Sequence, residues 1–181
     1  MKGQFYIIGA LLLIMLFFVG LPRPNQLTTE AFNDLPYFAS NLKAEYPRAM
    51  SLGLNQSDYM NTMMNFTNFA NRVLEERSIN YEALWIATEN VSGTTLNVSA
   101  GGILSTNTTI SLNASGTTAT LMLASNATNS TTISNPGAEF NFSFSFLGEN
   151  ESVTWPRDKA NLFVFINLTR SGSSAITNVT A

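Results

Sequence analysis

Hydrophobicity along the chain changes character at Pro22. Before it, Phe5 to Leu21 form an uncharged apolar run of 17 residues; after it, Asn, Ser and Thr dominate. As a helix at ~1.5 Å per residue the run reaches roughly 26 Å, a little short of a ~30 Å hydrocarbon core. A helix apolar on every side has to be surrounded, by lipid or by other helices, and Gly9 with Ala10 gives a neighbouring helix room to come close. Pro22 and Pro24 end the run, because each ring removes a backbone donor and constrains the residue before it. Residues 1–21 are read as an apolar helix, anchor or assembly element, and 22–34 as a hinge or stem.

A helical period follows. Asp34-Leu35-Pro36 reads as a helix entry, with Pro in the first turn and Asp beside it. Leu35, Phe38, Ala39, Leu42 and Tyr46 then share one face, and Pro47 is expected to close the segment. A second amphipathic helix is expected from about Ser57 and Asp58, with Tyr59, Met63, Phe66, Ala70, Val73 and Leu74 on its apolar side. Such a stripe of Met and aromatic residues is packing surface rather than a cofactor box.

From Tyr81 the period becomes two. Phe140, Phe142, Phe144 and Phe146 alternate with Asn141, Ser143 and Ser145, which places four rings on one face and three polar groups on the other. Thr95–Ser99, Asn107–Asn113, Ala119–Ala124, Leu162–Leu168 and Ala175–Val179 give further strands. Gly101-Gly102, Gly116, Asn135-Pro136-Gly137 and Gly148-Glu149-Asn150 are read as the punctuation between them. Leu162 to Ile166 is apolar on both faces, so it is either a central strand covered on both sides or an intersubunit contact. The two amphipathic helices need a surface to cover, which favours the first. The expected fold class is α+β: an N-terminal apolar helix, a helical segment over 35–80, then an antiparallel β-sandwich of about seven or eight strands over 81–181.

Charge is sparse, with nine Lys and Arg against twelve Asp and Glu. No basic patch can form from so few cations spread along the chain, so nucleic acid is not an expected partner. Cys and His are both absent, which removes disulfides, thiolate chemistry, the main ligands of zinc, copper and iron, and the commonest general base. No metal or cofactor is expected. Glu75 with Glu76, Glu149 with Glu151, and Asp158 are the acid–base candidates left, and all fall at an expected helix end or turn where a solvated charge is the ordinary outcome. Ser and Thr nucleophiles have no His to activate them, and Gly101-Gly102 alone makes no phosphate loop. An enzyme is therefore not expected, and no catalytic residue is assigned.

Asn-X-Ser/Thr triplets occur at Asn55, Asn65, Asn90, Asn97, Asn107, Asn113, Asn126, Asn129, Asn141, Asn150, Asn167 and Asn178. Random placement of 21 Asn and 38 Ser and Thr in 181 residues gives about four such triplets, against the twelve present. Strand alternation enriches them as well, since residues i and i+2 of a strand point to the same wet face. N-glycosylation at several of the twelve is expected, with Asn97, Asn107, Asn113 and Asn141 placed opposite the apolar residues of their strands.

The N-terminus decides how these parts are used. Cleavage as an ordinary secretory signal needs small residues at the exit, whereas Phe18 would stand third from a cut after Gly20. Lys2 on one side of the run and Arg23 on the other weakly favour an inside N-terminus with the polar chain outside. At Lys2-Gly3-Gln4 followed by the apolar run, the chain resembles archaeal type IV pilins and related class III signal-peptide proteins. The resemblance implies cleavage between Gly3 and Gln4, and packing of the helix through Phe5, Ile7, Ile8, Leu11, Leu12, Ile14, Met15 and Phe18 against its copies in a filament core. It also implies an assembly ATPase and a membrane platform as partners. The function expected is that of a structural subunit of an extracellular pilus-like filament. The chain would be membrane-inserted before assembly, would polymerise with itself, and would display a domain carrying covalent N-glycans at the cell surface. The alternative is a membrane-anchored monomeric surface glycoprotein or adhesion domain with the same segment in lipid.

Overall fold

The computed structural model describes residues 34–114, 117–135, 137–146 and 149–181. The apolar run, the Gly3–Gln4 junction, the assembly positions and all but the last residue of the 22–34 hinge lie outside the described residues. Among the described residues, no helix is long and apolar enough to cross a membrane.

Two helices come first, α1 (Leu35–Asn55) and α2 (Tyr59–Glu75). Nine strands follow: β1 (Asn80–Ser92), β2 (Thr95–Ile103), β3 (Thr108–Ala114), β4 (Thr117–Leu123), β5 (Ala127–Ser134), β6 (Glu139–Phe146), β7 (Glu149–Pro156), β8 (Asn161–Arg170) and β9 (Ser173–Thr180). The fold is α+β, and every strand pairing is antiparallel. One sheet runs β5-β2-β1-β8-β9 and the other β4-β3-β6-β7.

Pro47 does not close the first helix; it lies inside α1, which continues for eight more residues. The missing N–H and the ring's clash with the preceding turn are outweighed because the buried face continues past Pro47 through Met50 to Gly53. The helix ends where Gly53 accepts the Asp58 N–H at 2.9 Å and Ser57 turns the chain at φ 56°. A Cβ on Gly53 would lie 2.5 Å from the Tyr59 Cα, so its bare backbone lets the two helices meet. The second helix begins where expected, immediately after Asp58.

The five-stranded sheet is apolar on both faces, and this explains β8. Leu162, Val164, Ile166 and Leu168 pack with Leu35, Tyr46, Met63 and Leu74 of the helices, while Phe163 packs with the core shared by the two sheets. The same split runs through β1: Tyr81, Ala83, Trp85 and Ala87 face the helices, and Leu84 and Ile86 face the four-stranded sheet. Ile110, Leu112, Leu121, Leu123, Phe140 and Trp155 complete the inter-sheet core. Among the expected row of four Phe, Phe140 is buried, and the other three side chains lie outside the described residues.

Nine strands among the described residues exceed the expected seven or eight. β5 carries a single buried residue, Ile133, among Asn, Ser and Thr, so its alternation is too weak to register in the sequence. β7 begins at Glu149 within what reads as a Gly148-Glu149-Asn150 turn, and its face is set by Trp155. Gly101 and Gly102 are also not punctuation. They sit inside β2, opposite Trp85 and Leu84 of β1, with no room for a side chain.

Candidate functional site

The twelve acceptor Asn residues are scattered over every layer, and ten of them are exposed: Asn55, Asn65, Asn90, Asn107, Asn113, Asn126, Asn129, Asn141, Asn150 and Asn178. Asn55 and Asn65 lie on α1 and α2 and Asn90 near the end of β1, while Asn107 and Asn126 flank β3 and β5. On the four-stranded sheet the inward positions are taken by Ile110, Leu112, Leu121, Leu123, Phe140 and Trp155. Period two then sends Asn113, Asn141 and Asn150 outward with Thr109, Ser111, Thr118, Thr120, Ser143, Ser152 and Thr154. Among the described residues that face carries a charge at Glu139, at the start of β6, and Met122 is its exposed apolar member. Register brings Asn113 opposite Ser143 and Asn141 opposite Thr154. The Asn141 Oδ1 accepts from Ser152 Oγ and Thr154 Oγ1, both at 3.3 Å, so these neighbours hold the amide oxygen and not the nitrogen, the atom that would carry a sugar.

Two acceptors are placed differently. Asn97 lies opposite the inter-sheet core as the alternation requires, but α2 covers that face of β2, so it is half-buried rather than open. Its Nδ2 donates to the Tyr59 hydroxyl at 3.2 Å, and that hydroxyl also bonds Ser99 Oγ at 2.7 Å. Burial pushes the Tyr59 phenol up. Asn167 on β8 is half-buried as well, and its Nδ2 donates to Glu82 Oε2 at 3.0 Å while its Oδ1 is buried without a protein donor. In both residues the nitrogen that would be glycosylated is bonded and the side chain is half-buried; Asn129 and Asn178 also donate, to the Met122 carbonyl and Glu151, but from exposed positions. Glycopeptide mapping is expected to find Asn97 and Asn167 unmodified while exposed acceptors carry sugar; substantial occupancy at either would contradict their placement.

Glu82 lines a cleft of about 500 Å³ with Asn71, Glu75, Tyr81, Ile103 and Asn167. Partial burial disfavours its charge, but the Ser105 N–H at 3.0 Å and the Asn167 amide outweigh it and hold the carboxyl below its ordinary range. A carboxylate held ionised by two structural donors is a poor proton donor at neutral pH. No local pattern marks it, because Glu82 stands alone between Tyr81 and Ala83-Leu84. The carboxylates expected from the sequence are dispersed: Glu75 and Glu76 at the exposed end of α2, Glu151 on β7 and Asp158 in the turn after it. The Glu149 side chain lies outside the described residues. Among the described residues no group of three or more His, Cys, Asp or Glu side chains is placed to hold a metal ion.

These features define an α+β scaffold, in which two helices cover one face of a pair of antiparallel sheets and ten of the twelve acceptor Asn residues are exposed. Comparison with protein-family models, curated proteins and solved structures finds no match to the chain.

Proposed function

We propose that the chain is the structural subunit of an extracellular pilus-like filament, polymerising through its N-terminal apolar helix and exposing a glycosylated β-rich domain. The observation that carries this reading is the sequence junction itself: Lys2-Gly3-Gln4, then 17 uncharged apolar residues, then a proline-bounded exit into a polar chain. A helix that must be surrounded on every side is satisfied by its own copies in a filament core. The placement of ten acceptor Asn residues on the outside of the domain supports the glycosylated exterior. The role is one of assembly and display, without catalysis, and the assembly ATPase and platform protein belong to it by the same resemblance.

Electron microscopy of surface preparations is expected to show helical fibres that contain this chain, with Gln4 as the first residue of the isolated protein. Recovery solely as a detergent-extracted monomer would favour the lipid-anchored surface glycoprotein instead. The intact mass is expected to exceed 19.7 kDa, less the short leader, by sugar increments. A mass matching the bare processed chain would remove the glycan part of the proposal and leave the filament untouched.

A further inference from the structure

The two long sides of the sheet pair are unequal. On one, the edge strands β4 and β5 close on each other: Asn129 Nδ2 donates to the Met122 carbonyl at 2.9 Å, and the intervening turn is held by the Ser125 N–H to Asn107 Oδ1 at 3.1 Å and Ser125 Oγ to the Leu104 carbonyl. On the other, among the described residues, β9 pairs with β8 alone and β7 with β6 alone, with Asn178 Nδ2 reaching Glu151 Oε1 at 3.5 Å between them.

β9 has the properties of an edge that recruits another strand. Its register with β8 runs without a bulge from Ser173 opposite Arg170 to Thr180 opposite Phe163. Its sequence, Ser173-Ser174-Ala175-Ile176-Thr177-Asn178-Val179-Thr180, holds neither charge nor Pro, and Ile176 is 65% exposed. Charges, prolines and bulges are the usual means by which proteins blunt such an edge, and β9 has none of them. What it has is an acceptor triplet, Asn178-Val179-Thr180, with Asn178 exposed on the same side of the strand as Ile176. β7, the other edge, differs: it holds Glu149, Glu151 and Pro156, which blunt it without a sugar.

We propose that Asn178 is glycosylated and that its glycan guards the β9 edge against strand addition by a second copy of this chain. This rests on the glycosylated exterior proposed above. A strand added to β9 would lie ~4.8 Å away, and a sugar chain rooted at Asn178 sweeps that position and covers Ile176. A second copy is the relevant intruder because two β9 strands can pair antiparallel about a two-fold axis, each offering the same free edge. In a filament, moreover, the copies are held at high local concentration.

The test uses the full chain, made in a glycosylating host and held in detergent, with glycopeptide mass spectrometry and light scattering. Thr180→Ala removes the acceptor triplet and leaves Asn178 itself unchanged; Thr180→Ser keeps the triplet. The expected result is sugar at Asn178 in the parent and in Thr180→Ser. Thr180→Ala should lose that one glycan and shift from monomer to dimer or larger, and adding Ile176→Lys, a charge at the edge, should return it to monomer. Asn65→Gln, which removes an acceptor on α2, should leave the monomer intact. A bare Asn178 in a chain glycosylated elsewhere overturns the proposal and leaves the glycosylated exterior standing, as does a monomeric Thr180→Ala. No sugar at any acceptor overturns the glycosylated exterior itself, and the edge guard with it.

Discussion

Replacing Gly102 with Ala is expected to destabilise the domain by about 3 kcal/mol or more, at or beyond the upper end of what overpacked cores lose. A Cβ there would lie 2.0 Å from the Ala83 carbonyl oxygen and 3.1 Å from the Leu84 Cα. Both atoms belong to the backbone of β1, which is hydrogen-bonded to β2 on one side and β8 on the other, so the strand cannot retreat without breaking a ladder. Gly101→Ala meets a side chain instead, Trp85 Cζ2 at 2.3 Å and Cε2 at 2.7 Å, with Thr128 Cγ2 at 2.8 Å behind. The indole is fully buried between β1 and the helix layer and has little space to tilt, so this substitution is also severe. The two should separate in combination. Trp85→Phe, by shortening the ring, should restore part of the stability of Gly101→Ala and none of that of Gly102→Ala, a coupling of the kind neighbouring residues show. Gly93, in the β1–β2 turn, has nothing within 4 Å of a would-be Cβ, and Gly93→Ala should change stability by less than about 0.5 kcal/mol. Denaturant midpoints of the full chain in detergent, compared at constant slope, check the order. Equal midpoints for Gly102→Ala and Gly93→Ala would contradict the packing described for β2.

Those two glycines mark where sequence and structure part. Local pattern identified the elements whose burial is one-sided or continuous: the α2 stripe from Tyr59 to Leu74, and the doubly apolar β8, which needed covering on both faces and receives it. It misread elements whose conformation is decided by a distant neighbour. Gly101-Gly102 looks like a turn until Trp85, sixteen residues earlier than Gly101, lies across it. Pro47 looks like a stop until the sheet holds both halves of α1, and β5 looks like a loop until β2 pairs with it. Asn97 fails for the same reason: alternation gave its face correctly, but the presence of α2 over that face is a tertiary fact. The acceptor triplets were legible in full, and what the sequence lacked was the exposure of each. The division of the sheet pair into a closed side and an open side was not legible at all, because it depends on strand order.

Alkaline pH is expected to weaken the domain through one buried chain of hydroxyls between α1, α2 and β1. Thr67 Oγ1 donates to the Met63 carbonyl at 2.8 Å, so its remaining bond, to the Tyr46 hydroxyl at 3.1 Å, must be accepted. Tyr46 has then spent its only proton, and Tyr81 donates to Tyr46. Burial pushes the Tyr46 phenol up to about 12 and that of Tyr81 well above its ordinary value. Phenols in the unfolded chain ionise near pH 10, so between about pH 10 and 12 the unfolded state binds fewer protons than the fold and stability falls as pH rises. The stabilisation is complete below pH 10, and its loss from Tyr46 alone is of order 3 kcal/mol across that window. Direction along the chain also orders the substitutions. Tyr81→Phe removes the terminal donor and leaves Tyr46 still bonded to Thr67, at a cost of about 1 kcal/mol. Tyr46→Phe strands the Tyr81 proton and an acceptor on Thr67 together, and should cost about 2–3 kcal/mol. With both tyrosines replaced, the loss should be smaller than the sum, since no buried donor is left unpaired, and the decline above pH 10 should flatten. Denaturation midpoints of the four proteins from pH 7 to 11.5 provide the check, and an unchanged alkaline slope in the double variant would show that these two phenols do not carry it.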